Sequence, residues 1–239
     1  MRISITYETD RIPLSYRMKI YSLIKEAVKH GNTAYYERIF EEGRREIKNL
    51  SFATFLKDFK IEDNEITLKE MTITVSSTTE FIIFLFNGLQ HQILKEYKVE
   101  GAIWKQKRIQ MLREAEITTS SAVFSTLSPI LIEDQSGKPL LPTDEEYEKE
   151  LNYYANLQVR QAEGRDLHQS LRFTPIQMRR QVIKESNRVF RKSHGEQSLY
   201  YTAHKGTFRL EGHPEDLQIL YRYGIGKSSQ FFGLLDLIV

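Results

Sequence analysis

From Glu65 to Val75 the chain reads Glu-Ile-Thr-Leu-Lys-Glu-Met-Thr-Ile-Thr-Val, alternating apolar and polar residues and crowding in β-branched ones. A period of two turns successive side chains to opposite faces, so this stretch predicts a strand with one face buried. Its neighbours fix what that strand belongs to. Residues 2 to 8 alternate in the same way. Pro13 then precedes a helical stripe of Met18, Ile20, Tyr21, Ile24, Ala27 and Val28, which Gly31 is expected to end. Asn32 or Thr33 can cap a second short helix through Phe40, Gly43 can stop it, and Leu50 to Leu56 reads as a strand. An apolar segment from Phe81 to Tyr97, preceded by Thr78 and Thr79, predicts a helix, and Ile103 to Ile117 returns to strand composition.

The order β-α-α-β-β-α-β is, apart from one extra short helix, a ferredoxin-like α+β arrangement, with two helices on one face of an antiparallel sheet. A second pass begins after Thr118-Thr-Ser-Ser121. A strand over Ala122 to Ile132 is followed by a turn at Asp134 to Pro139. Next comes a helix opening near Asp144, with Glu145, Glu146 and Glu148 at its positive end. Leu171 to Phe190 reads as a hairpin or strand pair, Leu199 to Leu210 as a strand, Pro214 to Tyr221 as a helix and Phe232 to Val239 as a closing strand. The expected architecture is two tandem ferredoxin-like (βαββαβ) domains with antiparallel sheets, at 1–118 and 119–239. For 239 residues, two units of about 120 are each large enough to bury a core.

Composition narrows the function classes. With 40% hydrophobic and 28% charged residues the chain should fold throughout. The absence of cysteine removes disulfides, thiolate metal sites and a cysteine nucleophile, and fits a reducing cytoplasm. The longest apolar run, Phe81 to Phe86, is far short of the roughly 20 residues of a spanning helix, so no membrane is expected. Met1 to Ile5 lacks the apolar stretch of a signal peptide, so export is not expected either. The net charge of +2, from 34 basic and 32 acidic residues, is too even to name a partner. Local clusters carry more: Arg179, Arg180, Lys184, Arg188, Arg191 and Lys192 stand against Glu185 alone, and Lys105, Lys107 and Arg108 form a second group. His91, His168, His194, His204 and His213 are scattered with no metal-ligand spacing, and Gly224-Ile-Gly226-Lys227-Ser228 lacks the upstream glycine of a nucleotide-binding loop. Neither metal nor cofactor is expected.

Three segments resemble the CRISPR-associated repeat-RNA endoribonucleases, the sixth Cas family of the repeat-associated mysterious protein superfamily. One is Pro13 with its helix, Ile39-Phe-Glu-Glu-Gly43 and Lys48-Asn-Leu-Ser-Phe52. Another is Ser125-Thr-Leu-Ser-Pro-Ile130 with Gly137-Lys138 and Asp144. The last is Phe208-Arg-Leu-Glu-Gly212, Leu217 to Tyr223, Gly224-Ile-Gly226 and Phe232-Gly233. The resemblance spans nearly the whole chain. It implies a CRISPR repeat RNA as substrate, CRISPR effector-complex subunits as further partners, and a monomer or homodimer. It also implies metal-independent cleavage, in which the RNA's 2′-hydroxyl attacks the adjacent phosphate and leaves a cyclic phosphate. That chemistry needs a base, an acid and a cation for the phosphorane.

The family's usual histidine falls on Phe40 and its first-helix tyrosine on Lys25, while Lys48 matches the usual lysine. His30 is the nearest substitute, at a helix end whose dipole favours a cation. The candidate catalytic set is therefore His30, Lys48, Tyr36 and Lys25, with Tyr35 an alternative to Tyr36. The candidate RNA-binding set is Gly224, Gly226, Lys227, Phe231 and Gly233, with Arg179, Arg180, Arg188, Arg191 and Lys192. Backbone amides of the glycine loop would approach a phosphate, and Phe231, where the family has glycine, would stack on a base. Loss of the usual histidine and tyrosine keeps a second reading open, an inactive RNA-binding subunit of the same superfamily.

Overall fold

Strand alternation and one very close helix contact build the first half of the molecule. The computed structural model describes residues 1–42, 48–185, 199–228 and 231–238. The first half runs β1 Arg2–Glu8, β2 Arg11–Pro13, α1 Arg17–Gly31 and α2 Thr33–Tyr36, the last continued by a wider helical turn over Glu37–Glu42. It goes on through β3 Leu50–Lys57, β4 Lys60–Glu62, β5 Glu65–Thr67, β6 Glu70–Ser77, α3 Thr79–Leu89, α4 Gln92–Lys95, β7 Glu96–Val99 and β8 Ala102–Leu112. Its main sheet has the order β3-β6-β1-β8-β7, and all its pairs are antiparallel. Ile3, Ile5, Tyr7, Met71, Ile73 and Val75 alternate into the core beneath α1 and α3.

The run from Glu65 to Val75 forms two strands rather than one. Ile66 is buried in a small separate sheet, β2-β5-β4, and the chain then crosses to the main sheet. Backbone bonds from Leu68 to Asp10 and from Lys69 to Lys57 fix that crossing, at 3.1 and 3.2 Å. The helix expected over Phe81 to Tyr97 also divides. Thr78 caps α3 by accepting the Phe81 N–H, but His91 is extended, and Tyr97 lies in β7 with its ring 5.9 Å from Trp104. Gly31 does not terminate α1 through a left-handed turn, because the cap is Asn32, in extended conformation. Gly31 is needed for contact: a Cβ there would lie 1.9 Å from the Phe84 carbonyl oxygen, and one at Gly88 would lie 1.7 Å from that of Ala27. The two helices touch backbone to backbone.

The second half runs β9 Ser121–Thr126, α5 Tyr147–Glu163, β10 Arg172–Glu185, β11 Leu199–Glu211, α6 Pro214–Tyr223 and β12 Leu235–Ile238. Its sheet order, β10-β11-β9-β12, is that of a ferredoxin-like βαββαβ unit, and the first half repeats it with β7 added at the edge. The expected strand to Ile132 ends at Thr126; beyond it Ile130, Leu131 and Ile132 are buried without belonging to a strand. Of the hairpin or strand pair expected over Leu171 to Phe190, residues 186–190 lie outside the described residues. Residues 172–185 form one strand, paired with β11 from Arg172↔Glu211 to Glu185↔Leu199.

The halves are docked by polar and aromatic contacts. Arg2, buried in β1, donates to the Tyr221 carbonyl, lies 3.8 Å over the Tyr221 ring and sits 3.6 Å from Asp236. Gln158 donates to Asn49 at 3.1 Å, and Phe231 packs edge-on against Tyr21 and Phe52. Among the described residues, no helix is long and apolar enough to cross a membrane.

Candidate active site and nucleic-acid interface

The amphipathic spacing of α1 turns Ile20, Leu23, Ile24, Ala27 and Val28 inward, which leaves Ser22, Lys25, Glu26, Lys29 and His30 on the outer side. Asn32 then reverses the chain into α2, accepting the Tyr35 N–H at 2.9 Å. This brings Tyr36 back over α1. Ser22, Lys25, Glu26, Lys29, His30, Thr33 and Tyr36 line an open cavity of about 610 Å³. Three of the four catalytic candidates thus share one site. Lys48 is not among its walls: it is buried just before β3, next to Asn49, which faces Gln158 and Gln161 of the other half.

Aromatic rings surround the Lys25 ammonium, with centroids 5.3 Å (Phe40), 5.6 Å (Tyr36) and 6.0 Å (Tyr21) away. Lys29 lies 5.5 Å from the Tyr36 ring. Ring quadrupoles can hold a cation without neutralising it, so its charge stays available to an anion. Burial, and then Tyr36, push the Tyr21 hydroxyl up to about 12, which keeps it a neutral donor. Lys25 and Phe40, where the resemblance places the usual tyrosine and histidine, are in contact. Phe40 is a core residue, 6% exposed and packed on Tyr21, Tyr36 and Phe81.

One residue without a role in the sequence reading joins the site. His91 stacks on His30 with ring centroids 4.3 Å apart and an interplanar angle of 13°. No local spacing could reveal a partner from beyond α3. The only sequence trace is the pair Gly31 and Gly88, which lets α1 and α3 approach closely enough for the rings to meet.

The glycine loop differs from its expected form. The amides of Gly224, Ile225, Lys227, Phe231, Phe232 and Gly233 donate to Leu220, Gly233, Leu131, Ser228, Ser228 and Pro129 respectively, so they are turned into the protein rather than toward a phosphate. The glycines are required by strain and contact. Gly224, Gly226 and Gly233 have φ of 83°, 98° and 72°, and a Cβ at Gly233 would lie 1.8 Å from the Ile225 oxygen. Lys227 is paired with the Glu133 carboxylate, which raises its pKa above the usual lysine range. Phe231 is wedged between Tyr21 and Phe52, which occupies the face expected to stack on a base.

Basic residues meet instead at the seam. Arg179 and Arg180 are exposed on β10, and Arg179 pairs in register with Lys205 of β11. Lys205 lines a narrow cleft of about 50 Å³ between the halves together with Arg17, Gln181, Thr54 and Ser128. Burial, then Arg179 and Arg17, hold the Lys205 ammonium below its usual pKa. Arg17 is also paired there with the Glu185 carboxylate, at 3.5 Å. Arg188, Arg191 and Lys192 lie outside the described residues. In the second basic group, Lys107 is engaged by Glu8.

Two ferredoxin-like units side by side, with a cation-rimmed cavity on one and a basic strand pair on the other, define a tandem ferredoxin-like protein. Residues 112–237 match the family described as CRISPR associated protein Cas6, C-terminal. The chain belongs to this family, whose members process CRISPR repeat RNA. Three solved structures share the fold over 100% of this chain. The product of a Cas6-related gene from Pyrococcus furiosus is 22% identical, with a TM-score of 0.79 and 98% of its own chain covered. A RAMP protein binding different RNA substrates is 20% identical, with a TM-score of 0.79 and 100% covered. A CRISPR associated protein Cas6 is 19% identical, with a TM-score of 0.74 and 99% covered. No curated protein matches the chain in sequence.

Proposed function

We propose that the chain cleaves CRISPR repeat RNA at the cavity between α1 and α2, with no metal required. The observation that carries this reading is the gathering of Lys25, His30 and Tyr36 on one open cavity. The 2′-oxygen forms a bond to phosphorus as the bond to the 5′-oxygen breaks. One imidazole takes the 2′-hydroxyl proton, and a second proton donor supplies the 5′-oxygen. His30 and the stacked His91 offer both functions within 4.3 Å. Lys25 and Lys29 offset the charge that develops on the phosphorane, and the Tyr36 hydroxyl orients the phosphate. Lys48 would take part only where the RNA reaches from the cavity toward the seam. The strand approaches across Arg179, Arg180, Lys205 and Arg17, and the glycine loop holds the two halves in register beneath it.

The second reading, an RNA-binding subunit without cleavage activity, is favoured by one observation: the usual histidine position is a buried phenylalanine, Phe40. Incubating repeat RNA with the protein in EDTA separates the two. Cleavage to a cyclic phosphate supports the enzyme. RNA that is shifted on a gel but uncut supports the binding subunit, and cleavage abolished by the chelator overturns the metal-free mechanism.

A further inference from the structure

A second cluster of imidazoles lies far along the chain from the cavity. Gly164 ends α5 in the left-handed conformation, φ 69°, and turns the chain back over the start of α6. Asp216, completely buried in the first turn of α6, pins that loop: its carboxylate accepts the His168 backbone N–H at 2.8 Å and Arg165 Nη1 at 2.6 Å. His168 is thereby held above the helix end. His213 precedes α6 but does not cap it with its side chain, and its Nδ1 is shielded from solvent with no hydrogen-bond partner. The two rings lie 4.2 Å apart, and His168 Nε2 is 3.0 Å from the Glu215 carboxylate. One donor atom from each of His168, His213 and Glu215 lies within 4.8 Å of the other two.

We propose that His168, His213 and Glu215 form a site for a divalent transition metal, zinc foremost, with water as the fourth ligand. Two imidazoles and a carboxylate suit zinc and exclude magnesium, which takes oxygen ligands. Metal–ligand bonds of about 2.0–2.2 Å place tetrahedral donors about 3.3 Å apart, so the cluster must contract. The side chains that must move, His168 and Glu215, are exposed, and the 3.0 Å contact between them would give way to the ion. Arg165 is the competing cation, 3.7 Å from Glu215, but its other nitrogen is held by Asp216. The carboxylates of Glu215 and Asp216 offset the positive end of the α6 dipole, which by itself would repel a cation. The bound ion would clip the loop after α5 to α6, and none of its ligands belongs to the RNA-cleavage cavity. Its role is structural, and it leaves cleavage in EDTA unaltered in mechanism.

The test is calorimetric titration of the full, untagged, chelator-stripped chain with ZnCl₂, with MgCl₂ as control. One zinc per chain is expected, with affinity falling at least tenfold in His213→Ala and in Glu215→Gln. Thermal stability should rise with zinc in the parent and not in the variants. Glu215 is 68% exposed, so Glu215→Gln keeps the fold if His213→Ala does not. Cobalt substituted for zinc should show the intense visible bands of a four-coordinate ion. Zinc affinity weaker than about 100 μM, affinity unchanged in both variants, or binding lost in His30→Ala instead, overturns the site.

Discussion

The outer face of α1 and the glycine loop after α6 look alike in sequence, each a short stretch with lysine and an aromatic neighbour, yet the fold treats them in opposite ways. On α1, Lys25 has rings around it and an open cavity before it. In the loop, Lys227 is neutralised by Glu133, the amides are turned inward and Phe231 is wedged into the seam. Polar groups whose bonding capacity is already met hold structure, whereas cations left unneutralised beside a cavity are available to a ligand. The cleavage proposed above uses the first region for chemistry and the second for architecture.

Gly233→Ala offers the largest expected effect. The added Cβ meets the Ile225 oxygen at 1.8 Å in a backbone with φ of 72°, so stability should fall by about 4 kcal/mol or more. Thermal unfolding measures it, and a wild-type melting temperature would return the loop to a ligand-binding role.

Glu185 is the next lever. It is buried at the seam 3.5 Å from Arg17, a distance too long to offset the loss of water, so burial outweighs Arg17 and pushes its carboxyl up to about 7. Between the unfolded value near 4.5 and that folded value, the native state binds the extra proton. Stability should therefore fall as pH rises through this window, by about 3 kcal/mol at most. Glu185→Gln should flatten the dependence, as read by denaturant midpoints at pH 5 and pH 8. An equally steep fall in the variant would relieve Glu185 of that role.

His30→Ala and Lys25→Ala should each slow cleavage by about 10²-fold, equivalent to about 2.7 kcal/mol, while leaving RNA affinity and melting temperature nearly unchanged. Single-turnover rates beside binding isotherms show whether rate and stability separate as the comparison requires. The smallest effect belongs to the β10–β11 strand pair. Arg179→Ala should weaken RNA binding and reduce the salt slope by about 0.7 for a lost single-strand phosphate contact. An unchanged slope would move the RNA path off β10.

The repeated βαββαβ order was legible in the sequence because strand and helix periodicity are local properties. Val75 and Ile73 alternate with threonines whatever the rest of the chain does. The candidate cavity was legible in part. Lys25, His30 and Tyr36 could be picked out because they lie on one face of a helix and the turn that follows it, within reach of one another along twelve residues. The environment of the glycine loop was not legible, because whether a lysine or an amide there is already bonded depends on partners such as Glu133, Leu131 and Pro129, which lie about ninety residues or more from the loop along the chain.

The sequence by itself determined the two main antiparallel sheets with helices on one face, since the alternating strands are interleaved with helical stripes in the same order twice. Only the tertiary structure decided which polar groups meet. Two glycines without side chains let α1 and α3 touch and so stack His30 on His91. A buried aspartate draws His168 over His213 across forty-five residues of sequence. Contacts of this kind depend on backbone separation and on where the packing strands of a polar atom from water, and neither is written in the spacing of residues along the chain.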